Sequence, residues 1–215
     1  MDRSCQSDDR VSATHVPIFC VSGPSAAGKT TFVEQLAQRL ADRGIASLLI
    51  ACDDYYRSNW TPDPHFGFDT VAAIDTESLR QDIRLASRHQ AVSLRVYDMR
   101  TRRVGRRPIS NAYSLILLEG SYGPQELVGD FPIETLVYLE EALHRRLFRR
   151  LRRDVQQRQR PPGYVIRQMI REMLPGERTF IHPLRDKADL VVRDHKLGIE
   201  FLLEHIDPAH CADPG

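Results

Sequence analysis

Cysteine is scarce, and the four present (Cys5, Cys20, Cys52 and Cys211) have no metal-ligand spacing, which argues against a zinc module. Cys20 and Cys52 lie in or at the end of apolar, strand-like runs, so reduced and buried thiols are expected there. No run approaches the ~20 apolar residues of a membrane span. The N-terminus carries Asp2, Asp8 and Asp9 and has no apolar core, which is not the pattern of a signal peptide. A cytoplasmic setting without a membrane is the expectation. Charge of either sign is also missing as an excess, with 30 basic against 29 acidic side chains. Whole-chain electrostatics therefore do not call for nucleic acid or an anionic surface. There is no internal repeat and no low-complexity segment. With 215 residues, 41% of them hydrophobic, one domain with a full core is expected.

What is present starts at Gly23-Pro24-Ser25-Ala26-Ala27-Gly28-Lys29-Thr30-Thr31, a full match to G-x-x-x-x-G-K-[ST]. The apolar run Ile18-Phe19-Cys20-Val21 precedes it. A helical stripe of Phe32, Val33, Leu36, Ala37 and Leu40 follows. Strand, loop and helix are the context such a loop needs, and they favour it over a plain Gly-rich turn. Loop N–H groups at a helix N-terminus point at an anion. Lys29 would reach the β- and γ-phosphates, and the Thr30 hydroxyl would sit on Mg²⁺.

The chain then alternates. A helix runs to about residue 43, with Gly44 as its C′ residue, and residues 46–52 read as a parallel strand buried on both faces. Residues 58–70 are loop-like. Asp75 is placed to N-cap a helix through Arg88. Residues 91–109 read as a hairpin carrying Tyr97 and Asp98 near its turn. Leu115–Leu118 is a strand ending in Glu119-Gly120, and 136–139 is another. A helix over about 140–157 is broken at Pro161-Pro162-Gly163. The next helix carries Ile166, Met169, Ile170 and Met173 as its stripe. Residues 190–192 form the last strand and 197–206 the last helix. The pattern predicts an α/β fold with a parallel sheet over residues 15–206, flanked by loose tails at 1–14 and 207–215.

In such sheets ligands bind beyond the carboxyl ends of the strands. Asp53-Asp54 follow the second strand, and Glu119 ends the third strong one. A carboxylate beside a magnesium nucleotide can organise the metal or accept a hydroxyl proton. Asp53 alone could equally be a turn former, and Glu119-Gly120 a strand-end turn; the phosphate loop tips both towards chemistry. Asp54 is the weaker candidate. Eight arginines and no lysine fall between Arg145 and Arg160. A solvated face or a nucleic-acid patch is the alternative. Arginine forks suit phosphate oxygens, and the helix–break–helix pattern over about 145–163 predicts a lid that closes on a nucleotide. No aromatics interleave with the run, which argues against single-strand binding. The Asn-Lys-x-Asp motif of GTPases is absent, as is the Asp-Glu pair of many motor ATPases.

Together these motifs resemble the uridine kinase and phosphoribulokinase group of phosphate-loop kinases, closest to uridine–cytidine kinases, over about residues 18–192. The resemblance implies a phosphate-loop kinase fold and the following roles. Asp53 in Asp53-Asp54-Tyr55-Tyr56-Arg57 takes the catalytic-base position, and Tyr56 lines the nucleoside site. Gly67-Phe68-Asp69 places Asp69 on the ribose hydroxyls, with Phe68 beside it. Tyr97 of Val96-Tyr97-Asp98 packs on the base. Glu119 lies at the metal with Thr30, and Asp53 joins them. Arg150, Arg153, Arg158 and Arg160 bind donor phosphates or the acceptor sugar, and Gln168 matches a Gln after the lid.

Three departures bear on the ligands. Arg102 stands where those kinases have a His that reads the pyrimidine, and a cation cannot accept a hydrogen bond from cytosine's amino group. Gln159 replaces the glycine of the usual Arg-Gly-Arg, and residues 193–196 lack the usual Gly and Asn near the adenine. The expected activity is transfer of the γ-phosphoryl of ATP, with GTP left open, to a hydroxyl of uridine, cytidine or an analogue, with Mg²⁺. A sugar phosphate or hydroxy acid is the alternative acceptor, and a nucleotide-dependent nucleic-acid binder the alternative class. A homo-oligomer is left open.

Overall fold

The structure is a computed structural model that describes residues 15–206; the tails expected at 1–14 and 207–215 lie outside the described residues, as do Cys5 and Cys211. Seven strands form two sheets. The main sheet is parallel, in the order β2 (Ser47–Ala51), β5 (Leu115–Gly120), β1 (Ile18–Ser22), β6 (Ile133–Leu139), β7 (Leu190–Val192). β3 (Ser93–Tyr97) and β4 (Val104–Pro108) pair as the expected antiparallel hairpin.

Alternation along the inner strands divides the core. Ile18, Cys20, Ile116 and Leu118 face one cluster, which holds Leu79 and Ile83 of α2 (Thr76–Ala86). Phe19, Val21, Leu115 and Leu117 face the other. That one is covered by α1 (Lys29–Ala41) and the last helix, His195–His205. Each fully buried large apolar side chain contributes about 1.5–3 kcal/mol. Burial pushes the Cys20 thiol pKa up to about 12, with Glu119 adding to it, so a neutral, inert thiol is its state at ordinary pH.

Several expectations need correction. β2 is an edge strand, not one buried on both faces: Leu48 and Ile50 are buried while Ser47, Leu49 and Ala51 are partly open. Gly44 does take a left-handed φ of 78°, but α1 already ends at Ala41 with Asp42 as its cap. Asp75 caps α2 as expected, accepting the Ser78 N–H at 3.3 Å.

The arginine-rich helix is α3 (Leu143–Gln156). After the Pro-Pro-Gly break comes α4 (Pro162–Gln168), which runs on into two π-helical stretches, Met169–Met173 and Glu177–Ile181. Pro175 lies between them and can donate no backbone hydrogen bond, a circumstance that favours wider turns. The buried face differs in part from the expected stripe of Ile166, Met169, Ile170 and Met173. Val165, Met169 and Met173 pack beneath Leu147, Leu151 and Val155 of α3, whereas Ile166 and Ile170 are exposed. No helix among the described residues is long and apolar enough to cross a membrane.

Candidate active site

Sheet order explains why the motifs meet. β5 inserts between β2 and β1, and Glu119 is in register with Ala51 on one side and Val21 on the other. The phosphate loop, Asp53 and Glu119 therefore leave three neighbouring strands at the same edge. A cavity of about 610 Å³ opens there. All the expected site residues line it except Gly23 and Ala27. Those two lie behind the loop: Gly23 approaches the Leu139 carbonyl so closely that a Cβ would come to 2.6 Å, and Ala27 is buried in the core. Both shape the loop from behind and do not line the cavity.

The loop is held in a defined shape. Gly28 has φ 95°, and a Cβ there would sit 2.7 Å from the His195 ring. Ser25, Ala26 and Thr31 face the cavity. Lys29 is buried; its Nζ donates to the Pro24 carbonyl at 3.1 Å and to Ser121 Oγ at 2.6 Å, while Ser121 Oγ donates to the Gly23 carbonyl at 3.0 Å. Burial lowers the Lys29 pKa, and the Glu119, Asp53 and Glu177 carboxylates oppose that shift. Thr30 Oγ1 donates to Glu119 Oε1 at 2.8 Å. Burial raises the Glu119 pKa; Lys29 counteracts it and Asp53 adds to it.

Adjacent carboxylates have separate duties. Asp53 is exposed to the cavity on the short 3-10 turn Cys52–Tyr55. Asp54 turns away and accepts the Tyr97 N–H at 3.1 Å. Arg95 fastens the same segment: its Nε donates to the Asp54 carbonyl at 3.1 Å, its Nη2 to the Tyr56 carbonyl at 2.6 Å, and its Nη1 pairs with Asp75 at 2.9 Å. The hairpin is thus locked to the strand end that carries Asp53. Tyr56 and Tyr97 meet at 5.9 Å between ring centroids and form one wall of the cavity. Arg102 lies over the Phe68 ring at 4.6 Å and donates to the Trp60 carbonyl at 3.3 Å.

Four acidic groups sort the arginines. Arg145 and Arg149 reach Glu141 at the outer end of α3. Arg146 is buried against Glu177, with Nη1 at 2.8 and 2.9 Å from its two oxygens. Arg150 grips Asp69 in two bonds of 3.1 Å and donates to Ser25 Oγ at 3.0 Å. Burial opposes the charge on Arg150, but Asp69 outweighs it and the pKa rises. Arg153, Arg158 and Arg160 converge on Asp154. Arg160 also donates to Gln168 Oε1 at 3.2 Å.

Glu177, Arg146, Ser121, Tyr122 and His195 were not found from the sequence. Glu177 is a single acid on a helix far along the chain from the loop it serves, and nothing in its neighbourhood marks it. The Ser25 N–H donates to Glu177 Oε1 at 2.9 Å. Ser121-Tyr122 directly follows Glu119-Gly120, so the strand-end rule could have included them.

The sequence profile of the Phosphoribulokinase / Uridine kinase family matches residues 18–197. The chain belongs to that family. It is 27% identical over 213 residues to "Uridine/cytidine kinase UKL1, chloroplastic" of Arabidopsis thaliana, covering 94% of this chain and 44% of that one. The chain thus spans less than half the length of this relative. It is 27% identical over 185 residues to a "Uridine kinase" of Leuconostoc citreum, covering 81% of this chain and 86% of that one. The phosphoribulokinase of Rhodobacter spheroides superposes with a TM-score of 0.58 at 15% identity, over 85% of this chain and 73% of that structure, and so shares the fold.

The site's donor set suits a magnesium–nucleoside triphosphate. Loop amides and Lys29 face anions, while the Thr30 hydroxyl and the Glu119 carboxylate are hard oxygen ligands for Mg²⁺. Among the described residues no group of three or more His, Cys, Asp or Glu side chains forms an all-protein metal site.

Proposed function

We propose that this member of the family is an ATP-dependent kinase that phosphorylates a hydroxyl of a small molecule, namely the 5′-hydroxyl of uridine, cytidine or an analogue. One arrangement carries the reading: Asp53 opens on the same cavity as Lys29 and Thr30, with the Asp69–Arg150 pair and the Tyr56–Tyr97 wall alongside. The names of the uridine kinase relatives support the acceptor class.

Asp53 accepts the proton of the acceptor hydroxyl and orients its oxygen towards the γ-phosphorus. In a loose transition state, orientation is the larger contribution. Lys29 and the lid arginines meet the charge on the transferring group. Thr30 and Glu119, with Asp53 nearby, would hold an Mg²⁺, which would supply positive charge to the donor phosphates. Asp69 accepts from a hydroxyl of the acceptor sugar, and Tyr97 packs on its base. The reading includes a cytoplasmic enzyme without a membrane and a small-molecule acceptor, with GTP as a donor and a homo-oligomer both left open.

Arg102 favours a second reading, in which the acceptor is a phosphorylated sugar or a hydroxy acid. Its guanidinium lines the cavity and can fork onto an anionic group. The nucleic-acid alternative loses support from the arginine pairing, because Arg146 and Arg150 are buried on acidic partners.

A coupled assay with uridine, cytidine, phosphorylated sugars and hydroxy acids tests these readings. Turnover of uridine or cytidine supports the first. Turnover only with anionic acceptors sinks it in favour of the second.

A further inference from the structure

Asp154 is the one acidic residue between Arg145 and Arg160, and its side chain is fully buried. Its Oδ1 accepts from Arg153 Nε at 3.0 Å and faces Arg158 Nη1 at 3.4 Å. Its Oδ2 has Arg150 Nε and Arg160 Nη1 each at 3.8 Å, beyond hydrogen-bond reach. Asp154 Oδ2 and Arg150 Nε are both buried atoms without a hydrogen-bond partner. The Arg160 N–H donates to the Asp154 carbonyl at 3.1 Å, so the turn after α3 also closes on this residue.

The charge count gives the feature its meaning. Arg150 is already neutralised by Asp69, and Arg146 by Glu177. Arg153, Arg158 and Arg160 have Asp154 alone, and all three line the cavity. Three guanidiniums on one carboxylate leave a surplus of positive charge at the mouth of the nucleotide site. Burial depresses the Arg158 pKa, and repulsion from Arg153 and Arg160 deepens the shift while Asp154 offsets part of it.

We propose that Asp154 is a positioning residue for the phosphate-binding lid. It gathers Arg153, Arg158 and Arg160 into one cationic cluster before the donor arrives, and competes with the donor's phosphates for them. Such a residue makes anion binding weaker and transfer faster, because guanidiniums held in place need no reorganisation when charge develops. A merely structural residue moves both in the same direction. The proposal rests on the kinase reading only in its second half, since polyphosphate binding needs no acceptor.

The test compares wild type with Asp154→Asn, which keeps the shape and removes the charge. Inorganic triphosphate binding is measured by calorimetry, kcat and KM in the kinase assay, and thermal stability without ligand. Asp154→Asn is expected to bind triphosphate about 3–10-fold more tightly, because an internal competitor has lost its charge. Its kcat should fall by ~10²-fold, the scale of a misplaced group, with the acceptor KM little changed. Unchanged or weaker triphosphate binding by the folded variant overturns the proposal, as does an unchanged kcat. If Asn unfolds the chain, Asp154→Ser, smaller and neutral, is measured in its place against the same criteria. Failure of the kinase reading would show separately, as wild type that turns over no acceptor, and the triphosphate comparison would still decide the role of Asp154.

Discussion

Glu177 holds the Ser25 N–H at 2.9 Å and Arg146 at 2.8 and 2.9 Å with the same carboxylate. Arg146 Nη1 in turn faces the Ser25 carbonyl at 3.3 Å, and Arg150 reaches the Ser25 hydroxyl at 3.0 Å. Ser25 is therefore gripped by its N–H, its C=O and its side chain. Through Arg150 the grip extends to Asp69, which also lines the cavity.

Truncation of Glu177 should leave a buried, uncompensated guanidinium. The pair is almost fully excluded from solvent, so Glu177→Ala is expected to cost about 3–5 kcal/mol. Urea unfolding measures the loss. The ATP KM should rise in variant that remains folded, because the loop has lost the anchor of its third residue.

Asp53 is exposed, and among the described residues it forms no ion pair. Asp53→Asn should leave ATP binding largely intact while turnover falls by about 10²–10⁴-fold, the range for losing a general base. Loss of both in equal measure would place Asp53 in service of the metal or the fold.

Arg102 separates the two proposed acceptor readings. Its stacking on Phe68 contributes about 0.5–1 kcal/mol at an exposed site, so Arg102→Ala should barely move the melting temperature. A nucleoside acceptor should then show a modest rise in KM. An anionic acceptor should lose most of its kcat/KM. Uridine kinetics indifferent to the change would dismiss Arg102 from acceptor recognition.

Glu119 supplies a pH signature. Its folded pKa lies above its unfolded value, chiefly through burial. The native state therefore holds more protons between those two values, and this group's contribution to stability declines as pH rises through that window. Glu119→Gln should flatten that decline and raise the melting temperature of the ligand-free protein at neutral pH. The same variant should lose magnesium-dependent turnover. A melting temperature that drops at neutral pH would refute the burial argument.

Much of the site could be read from the sequence because its elements are local. The phosphate loop needs only a strand, glycines and a helix, and Asp53 and Glu119 are marked by the strands they end. Phe68, Asp69, Tyr97 and the lid arginines came through likeness to the family's motifs. Half of the stripe expected for the helix after the lid is buried, Met169 and Met173, while Val165 joins them in place of the exposed Ile166 and Ile170. The sorting of the arginines was hidden for another reason. Glu177, Asp69 and Asp154 choose among eight similar side chains by three-dimensional reach, which spacing within one helix does not encode.

The insertion of β5 between β1 and β2 also bears on the order of assembly. Ser121, which braces Lys29, is 98 residues from the Gly23 carbonyl it bonds, and Thr30 is 89 from Glu119. Contacts so distant along the chain pay their loop-closure entropy before any return, and they form slowly. A nascent chain on the ribosome would expose its phosphate loop and Asp53 long before the strand that completes them emerges. Nucleotide binding should therefore appear late in refolding, together with the main sheet, and ATP should slow unfolding far more than it speeds folding.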